Sequence, residues 1–490
     1  MIRLVLRVLK HAGRTLLYGL VGGLIVLIVG AVLQLDSRPD LKVWHTADLD
    51  SEFTAASPVA SFADYVALED RLFRQLAEEV QDQIQPEDER AINRFHRGSL
   101  ADPDRWPTNW NRSFELHVTN PSIGVLLIHG MSDSPYSMRS LGQRLHDEGA
   151  QVVGLRVPGH GTAPSGLVSV HWEDMAAAVR LAVRHLREQV GDRPLLIVGY
   201  SNGGALAVYY TLEALQDARM PLPARIILLS PEIGITKLAA LASWQERLGH
   251  LLGLKKLAWN SILPEYDPYK YGSFALNAGK QAYLLTAEIQ SRMEKLGSSG
   301  ELQRFPPTLA FQSAVDATVS APALVTGLFD RLPRGGHEIV IFDINRFTEI
   351  EPILKRDPGS WLDAMLGHDG RSFTTTVVSN ESGETRAVAV HQRRPDETEI
   401  TVSELGLAWP RGLYSLAHIA LPFPPDDPVY GGPDAAESPG IQLGKLALRG
   451  ERGVLQISAA DMLRLRWNPF HSYIERRVVE VVQGLESASP

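Results

Sequence analysis

Apolar residues fall into two periods along this chain. From about residue 112, short apolar runs alternate with amphipathic stretches. SFELHV, Ile123–Ile128, Gln151–Val157, Pro194–Val198, Arg225–Leu229, Thr308–Gln312 and His337–Asp343 read as strands. Residues 137–149, 171–190, 203–217 and 320–332 read as the helices between them. Apolar strands alternating with helices predict βαβ units around a parallel sheet covered on both faces. Upstream, residues 61–83 place apolar side chains at helical spacing between charges, which predicts an amphipathic helix. Residues 36–60 read as a tether and residues 84–110 as a polar, proline-bearing loop.

The alternation breaks twice. Residues 232–304, with Trp244, Trp259 and the run Tyr266, Tyr269, Tyr271, read as a helical cap inserted into the sheet. Residues 345–410 read as a second insertion. It holds a helix-and-loop piece and a hairpin whose strands, Phe373–Asn380 and Glu384–Arg393, meet around a Ser-Asn-Glu-Ser-Gly turn. A last helix is expected over 471–485. The expected organisation is therefore an N-terminal anchor (1–35), a tether and helical extension (36–110), a first core part (111–231), the cap (232–304) and a second core part (305–490).

Leu16–Leu33 is an uncharged run of 18 residues, about 27 Å long as a helix and close to the hydrocarbon thickness of a bilayer. Arg3, Arg7, Lys10 and Arg14 precede it, and Asp36 and Asp40 follow it. That asymmetry predicts a single transmembrane helix with the catalytic body on the extracytoplasmic side. A cleaved signal peptide competes, but Val-Leu-Gln-Leu-Asp-Ser is a poor cleavage site. The first 35 residues hold those four basic residues and no acid, so a net charge of −9 for the chain leaves −13 on the rest. So acidic a body argues against a nucleic-acid partner. The absence of cysteine among 490 residues excludes disulfides and a thiol nucleophile. No metal constellation stands out, and no cofactor is expected.

The chemistry concentrates in LLIVGYSNGGALAVYY. Gly199-Tyr200-Ser201-Asn202-Gly203 fits G-x-S-x-G between an apolar run and a small-residue helix. Such a serine sits on a strained strand-to-helix turn that exposes Oγ and aims the following helix N-terminus at the reacting carbonyl. A negative oxygen formed there needs two preplaced donors. Asn202 N–H is one candidate. Met131 N–H, in the loop after Gly124–Ile128, is the other. Asp316, beyond the strand 308–312, is the candidate acid, with Asp343 as runner-up; Asp330 reads as a helix-surface charge. His418, before a proline-rich loop, is the candidate base, with His368 in a Gly-His-Asp-Gly turn as second choice. His337 precedes its strand, His391 lies in the hairpin, and His471 starts the last helix.

His129-Gly130-Met131, Val157-Pro158-Gly159-His160-Gly161, Gly199–Gly203 and Val315–Val319 together resemble the α/β-hydrolases of the monoacylglycerol-lipase and serine-aminopeptidase type. The resemblance covers about residues 115–345 and the surroundings of His418. It implies a mostly parallel central sheet flanked by helices, with Ser201 as nucleophile, Asp316 as acid, and Met131 and Asn202 as oxyanion donors; His160 would be structural or pocket-forming. The chain departs from the family between acid and histidine, which stand 102 residues apart. The leading expectation is a membrane-anchored hydrolase of carboxylic esters, acting on a lipid-like substrate through an acyl-enzyme, with the cap supplying an acyl pocket. The alternatives are a serine exopeptidase, for which Glu265, Asp267 and Glu288 could hold a substrate amine, an acyltransferase, and an inactive scaffold of the same fold.

Overall fold

The computed structural model describes residues 10–11, 13–23, 26, 30, 35–234, 254–367, 370–446 and 454–487. Ten strands form one sheet: β1 (Phe114–Leu116), β2 (Ile123–Ile128), β3 (Ala150–Leu155), β4 (Leu195–Tyr200), β5 (Arg225–Leu229), β8 (Thr308–Ser313), β9 (Glu338–Phe342), β10 (Thr374–Asn380), β11 (Ala387–Arg393) and β12 (Thr401–Ala408). A separate two-stranded ribbon pairs β6 (Trp259–Ser261) with β7 (Phe274–Ala275). The sheet order is β1-β3-β2-β4-β5-β8-β9-β10-β11-β12. All pairs from β3 to β10 are parallel, while β1 and the β10–β11–β12 meander pair antiparallel.

Strand alternation splits the apolar runs between two layers, because successive side chains point to opposite faces. On one face Leu126, Ile128, Leu195 and Ile197 pack with the helices Trp172–Val190 and Asn202–Gln216. On the other, Val125, Leu127, Leu196 and Val198 pack with Arg139–Asp147 and His471–Ser487. Every residue of β2, β3, β4 and β8 is buried. That is why these strands read as continuous apolar runs rather than as alternating ones.

The hairpin expected within 345–410 exists, but it extends the central sheet: β10 lies parallel to β9, with five paired positions. Val377 and Val378 lie on its opposite faces and enter the two core layers. The helix at 359–367 precedes it.

Residues 36–60 also join the body. Trp44, His45, Leu49 and Phe53 are buried. The helix Phe62–Glu79, capped by reciprocal Ser61 and Asp64 bonds, buries Phe62, Tyr65, Leu68 and Leu72. Its Glu69 reaches the fully buried Arg156 guanidinium at 3.1 Å, and Glu52 meets the same guanidinium at 2.8 Å.

The membrane anchor expected over Leu16–Leu33 is not found: among the described residues no helix is long and apolar enough to cross a membrane. The single transmembrane helix is therefore withdrawn, and with it the extracytoplasmic placement. Residues 24–25, 27–29 and 31–34 of that run lie outside the described residues.

Candidate active site

The C-terminal ends of β2, β4 and β8 deliver Met131, Ser201 with Asn202, and Asp316 to one edge of the sheet, where open α/β sheets bind ligands. β4 ends at Tyr200, and Ser201 turns the chain into the next helix with φ 53° and ψ −118°. Only close backbone packing holds so strained a residue. A Cβ at Gly199 would stand 2.3 Å from Gly203 O, and one at Gly203 would stand 2.2 Å from Ile128 O. The two glycines of the motif are thus required by contact between β4, the following helix and the end of β2. Ser201 N–H donates to Leu229 O at 2.9 Å, and Glu232 N–H donates to Ser201 O at 2.9 Å, fixing the turn against β5.

His418 reaches this turn from the far end of the chain. Its Nε2 lies 3.1 Å from Ser201 Oγ, and its Nδ1 lies 2.8 Å from Asp316 Oδ2. His418 opens a short 3₁₀ turn, His418–Ala420. Tyr200 packs its ring 5.3 Å from the imidazole. Asp316 is held in turn: its Oδ1 accepts from the amides of Thr318 and Val319, and its Oδ2 from Gln312 Nε2. Burial pushes the Asp316 carboxyl upward, but the charge and hydrogen bond of His418 and those amides outweigh it and hold it below the usual carboxylate range. The structure thus brings Ser201, His418 and Asp316 into one hydrogen-bonded line.

β2 supplies the other wall. A Cβ on Gly130 would lie 3.0 Å from Ser201 Cβ, so the Gly130–Met131 backbone runs alongside the serine. Asn202 is the first residue of its helix, so its amide has no intrahelical acceptor. His129 and His160 serve the loops. His129 Nε2 accepts from Val157 N–H at 3.0 Å, which leaves Nδ1–H to donate to Gly130 O at 2.9 Å. His160 Nδ1 pairs with Pro158 O at 2.9 Å, and burial pushes its imidazole down to about 4.

Residues 119–344 match the family described as Hydrolase_4: Serine aminopeptidase, S33. This matched segment has the α/β-hydrolase fold. A thermostable monoacylglycerol lipase of Bacillus sp. (strain H-257) is 31% identical over 94 residues, which is 19% of this chain and 37% of that enzyme. The chain thus matches little more than a third of that relative's length. A soluble variant of the Saccharomyces cerevisiae monoglyceride lipase aligns over 47% of this chain and 81% of its own, with 17% identity and a TM-score of 0.35. The Paleococcus ferrophilus monoacylglycerol lipase aligns over 47% and 88%, with 18% identity and a TM-score of 0.35.

The runner-up residues are engaged elsewhere. Asp343 is bound to Arg346, Ser379 Oγ and the Ile344 amide. Asp330 pairs with Arg371 at 3.0 Å on the surface. His337 is buried at the opposite, N-terminal end of β9. His391 sits on β11 opposite Val402, and His471 Nε2 pairs with Pro422 O. His368 and Trp244 lie outside the described residues. The three cap acids considered for a substrate amine are also occupied. Glu265 accepts from the Gly272 and Ser273 amides, Asp267 accepts from Tyr430 Oη, and Glu288 pairs with Arg292 on the helix surface.

One residue beside the serine escaped sequence reasoning. Glu232 lies three residues past the end of β5, and burial alone pushes its carboxyl up to about 7. Its Oε2 has no hydrogen-bond partner among the described residues. Its place after a strand, two residues beyond Ser230, was the available signal.

Proposed function

We propose that this chain is a serine hydrolase that cleaves carboxylic esters through an acyl-enzyme on Ser201. The observation that carries this reading is the line Ser201 Oγ to His418 Nε2 at 3.1 Å and His418 Nδ1 to Asp316 Oδ2 at 2.8 Å. In this mechanism Ser201 Oγ attacks the ester carbonyl while His418 Nε2 takes its proton. Asp316 holds the imidazole in the tautomer with the proton on Nδ1 and stabilises the charged ring. The amides of Met131 and Asn202 receive the carbonyl oxygen as it becomes negative. His418 then returns its proton to the departing alcohol. A water molecule repeats the cycle on the acyl-enzyme and releases the acid.

The match to monoacylglycerol lipase makes a lipid-like ester the natural first substrate. The engagement of Glu265 with the Gly272 and Ser273 amides, of Asp267 with Tyr430 and of Glu288 with Arg292 favours this over an aminopeptidase reading. The test has two arms. A fluorophosphonate probe should label the wild type and fail on Ser201→Ala. Ester and aminoacyl-amide substrates are then compared at equal concentration, and the ester should turn over faster. A wild type that resists the probe and turns over no ester overturns the reading.

A further inference from the structure

Ser132 and Asp133 follow Met131, whose amide receives the developing oxyanion in the proposed mechanism. The cap holds both of them. Ser132 has a left-handed backbone, φ 59°, which a serine keeps only where its surroundings impose it. The Tyr271 amide of the cap donates to Ser132 O at 2.8 Å. Asp133 N–H donates to Gly130 O at 3.3 Å, which closes the loop back on the residue beside Ser201. Tyr269 braces the same wall by stacking on Tyr136 at 3.9 Å.

The Asp133 side chain is buried, only 2% exposed. Its Oδ1 accepts from the Ser134 amide at 2.9 Å, while its Oδ2 has no hydrogen-bond partner among the described residues. Burial pushes this carboxyl upward, because a carboxylate taken out of water needs a cation beside it. That cation is Lys270 of the cap, whose Nζ stands 3.8 Å from Asp133 Oδ2. Lys270 is fixed in turn. Its amide and that of Tyr269 donate to Asp267 Oδ1, which also accepts from Tyr430 Oη. Arg466 stands 4.0 Å from the other Asp267 oxygen. Two acids and two bases thus cancel in charge beside the loop. Tyr200 and Tyr430 also face Asp133, and burial holds both phenols well above their ordinary range, so both stay neutral.

Asp133 is two residues beyond Met131, at most about 7 Å along the chain. The carbonyl oxygen of the substrate becomes negative beside Met131, and a like charge nearby opposes that step. At about 10 Å and an effective dielectric of about 20, one uncompensated charge would slow it about tenfold to twentyfold. We infer that Lys270 is a positioning residue of the reaction: it neutralises Asp133 and ties it to the cap, so that no stranded negative charge faces the oxyanion position at Met131 and Asn202. The inference rests on the serine-hydrolase reading.

The experiment uses the full chain and p-nitrophenyl butyrate at about pH 8.5, which favours the ionised form of an unpaired carboxyl. Lys270→Met should lower kcat about tenfold and leave KM within about twofold. Lys270→Arg keeps the charge and should stay within about threefold of the wild type. Adding Asp133→Asn to Lys270→Met removes the stranded charge and should bring kcat back to within about threefold of the wild type. A role in packing alone predicts the reverse, a double variant no faster than Lys270→Met. Lys270→Gln, with the same expected loss, takes the place of Lys270→Met if that variant does not fold. If the neutral variant keeps kcat within about twofold, or the double variant stays as slow as the single one, the inference falls and the hydrolase reading stands. If the wild type resists a fluorophosphonate and turns over no ester, both fall together.

Discussion

Ser201 carries a left-handed backbone, φ 53°, that no isolated serine would choose. Its neighbours divide the chemistry. His418 touches Oγ, and among the described residues the Asp316 carboxylate hydrogen-bonds only to His418, Gln312 and two amides. On the proposed mechanism, Asp316→Asn leaves the geometry but favours the wrong tautomer, so kcat should drop by about 10³–10⁴-fold with little change in KM. His418→Ala should cost at least as much. Steady-state kinetics on one ester check both, and a loss under tenfold for His418→Ala would remove it from the mechanism. Glu232 gives a pH prediction of opposite character. Its carboxyl is raised from the usual 4.5 to about 7, so the folded state binds a proton that the unfolded state gives up. Stability is full below pH 4.5 and falls as pH rises towards 7, because the unfolded state then gains more from ionisation. Glu232→Gln should therefore be more stable than the wild type at pH 8, by about 1–2 kcal/mol, and no more stable at pH 4.5. Urea denaturation at the two pH values measures the difference.

The elbow is an element-scale device: strand, turn and helix fit only if two side chains are missing. A methyl at Gly203 meets the carbonyl of Ile128 at 2.2 Å, which nothing nearby can yield to, since the obstacle is backbone in a central strand. Gly203→Ala should cost about 3 kcal/mol or more and lower the yield of folded protein. A thermal melt within 2 °C of the wild type would contradict the packing described. The helix Phe62–Glu79 makes a similar point by charge. Arg156 is fully buried between Glu52 and Glu69, and Tyr65 Oη donates to Arg156 O at 2.7 Å. Removing one partner of a buried ion network leaves an uncompensated charge, so Glu69→Ala should destabilise by about 3–5 kcal/mol. Arg156 also bonds the His160 carbonyl at 3.0 Å, so the loss should loosen the loop beside the site as well. Hydrogen exchange over residues 156–170 would register that loosening.

For the whole molecule, the sheet decides what can meet. The line from Ser201 to Asp316 closes through a histidine 217 residues beyond the serine, and beyond the matched segment as well. Within the interval between acid and histidine, β10, β11 and β12 widen the sheet, and the chain then returns to Ser201. The strands, the nucleophile turn, Asp316 and the place of Met131 and Asn202 were legible in the sequence. Each depends on local rules: apolar runs buried on both faces, glycine where backbones touch, a carboxylate just past a strand end. The histidine was legible only as a ranking. His418 follows β12, and only the return path of the chain after that strand brings it to Ser201. Three other features belonged to tertiary structure alone. The extension packs on the body because Arg156 offers a buried charge that Glu52 and Glu69 neutralise, and no period along residues 36–60 announces that. The pair of Asp133 and Lys270 exists because the cap meets the loop after β2. The membrane anchor stands the other way round: hydropathy and charge bias along the chain supplied the expectation, and among the described residues no helix is long and apolar enough to cross a membrane. Local sequence thus determines which groups can do chemistry and on what kind of turn, whereas long-range packing determines which of them share a site.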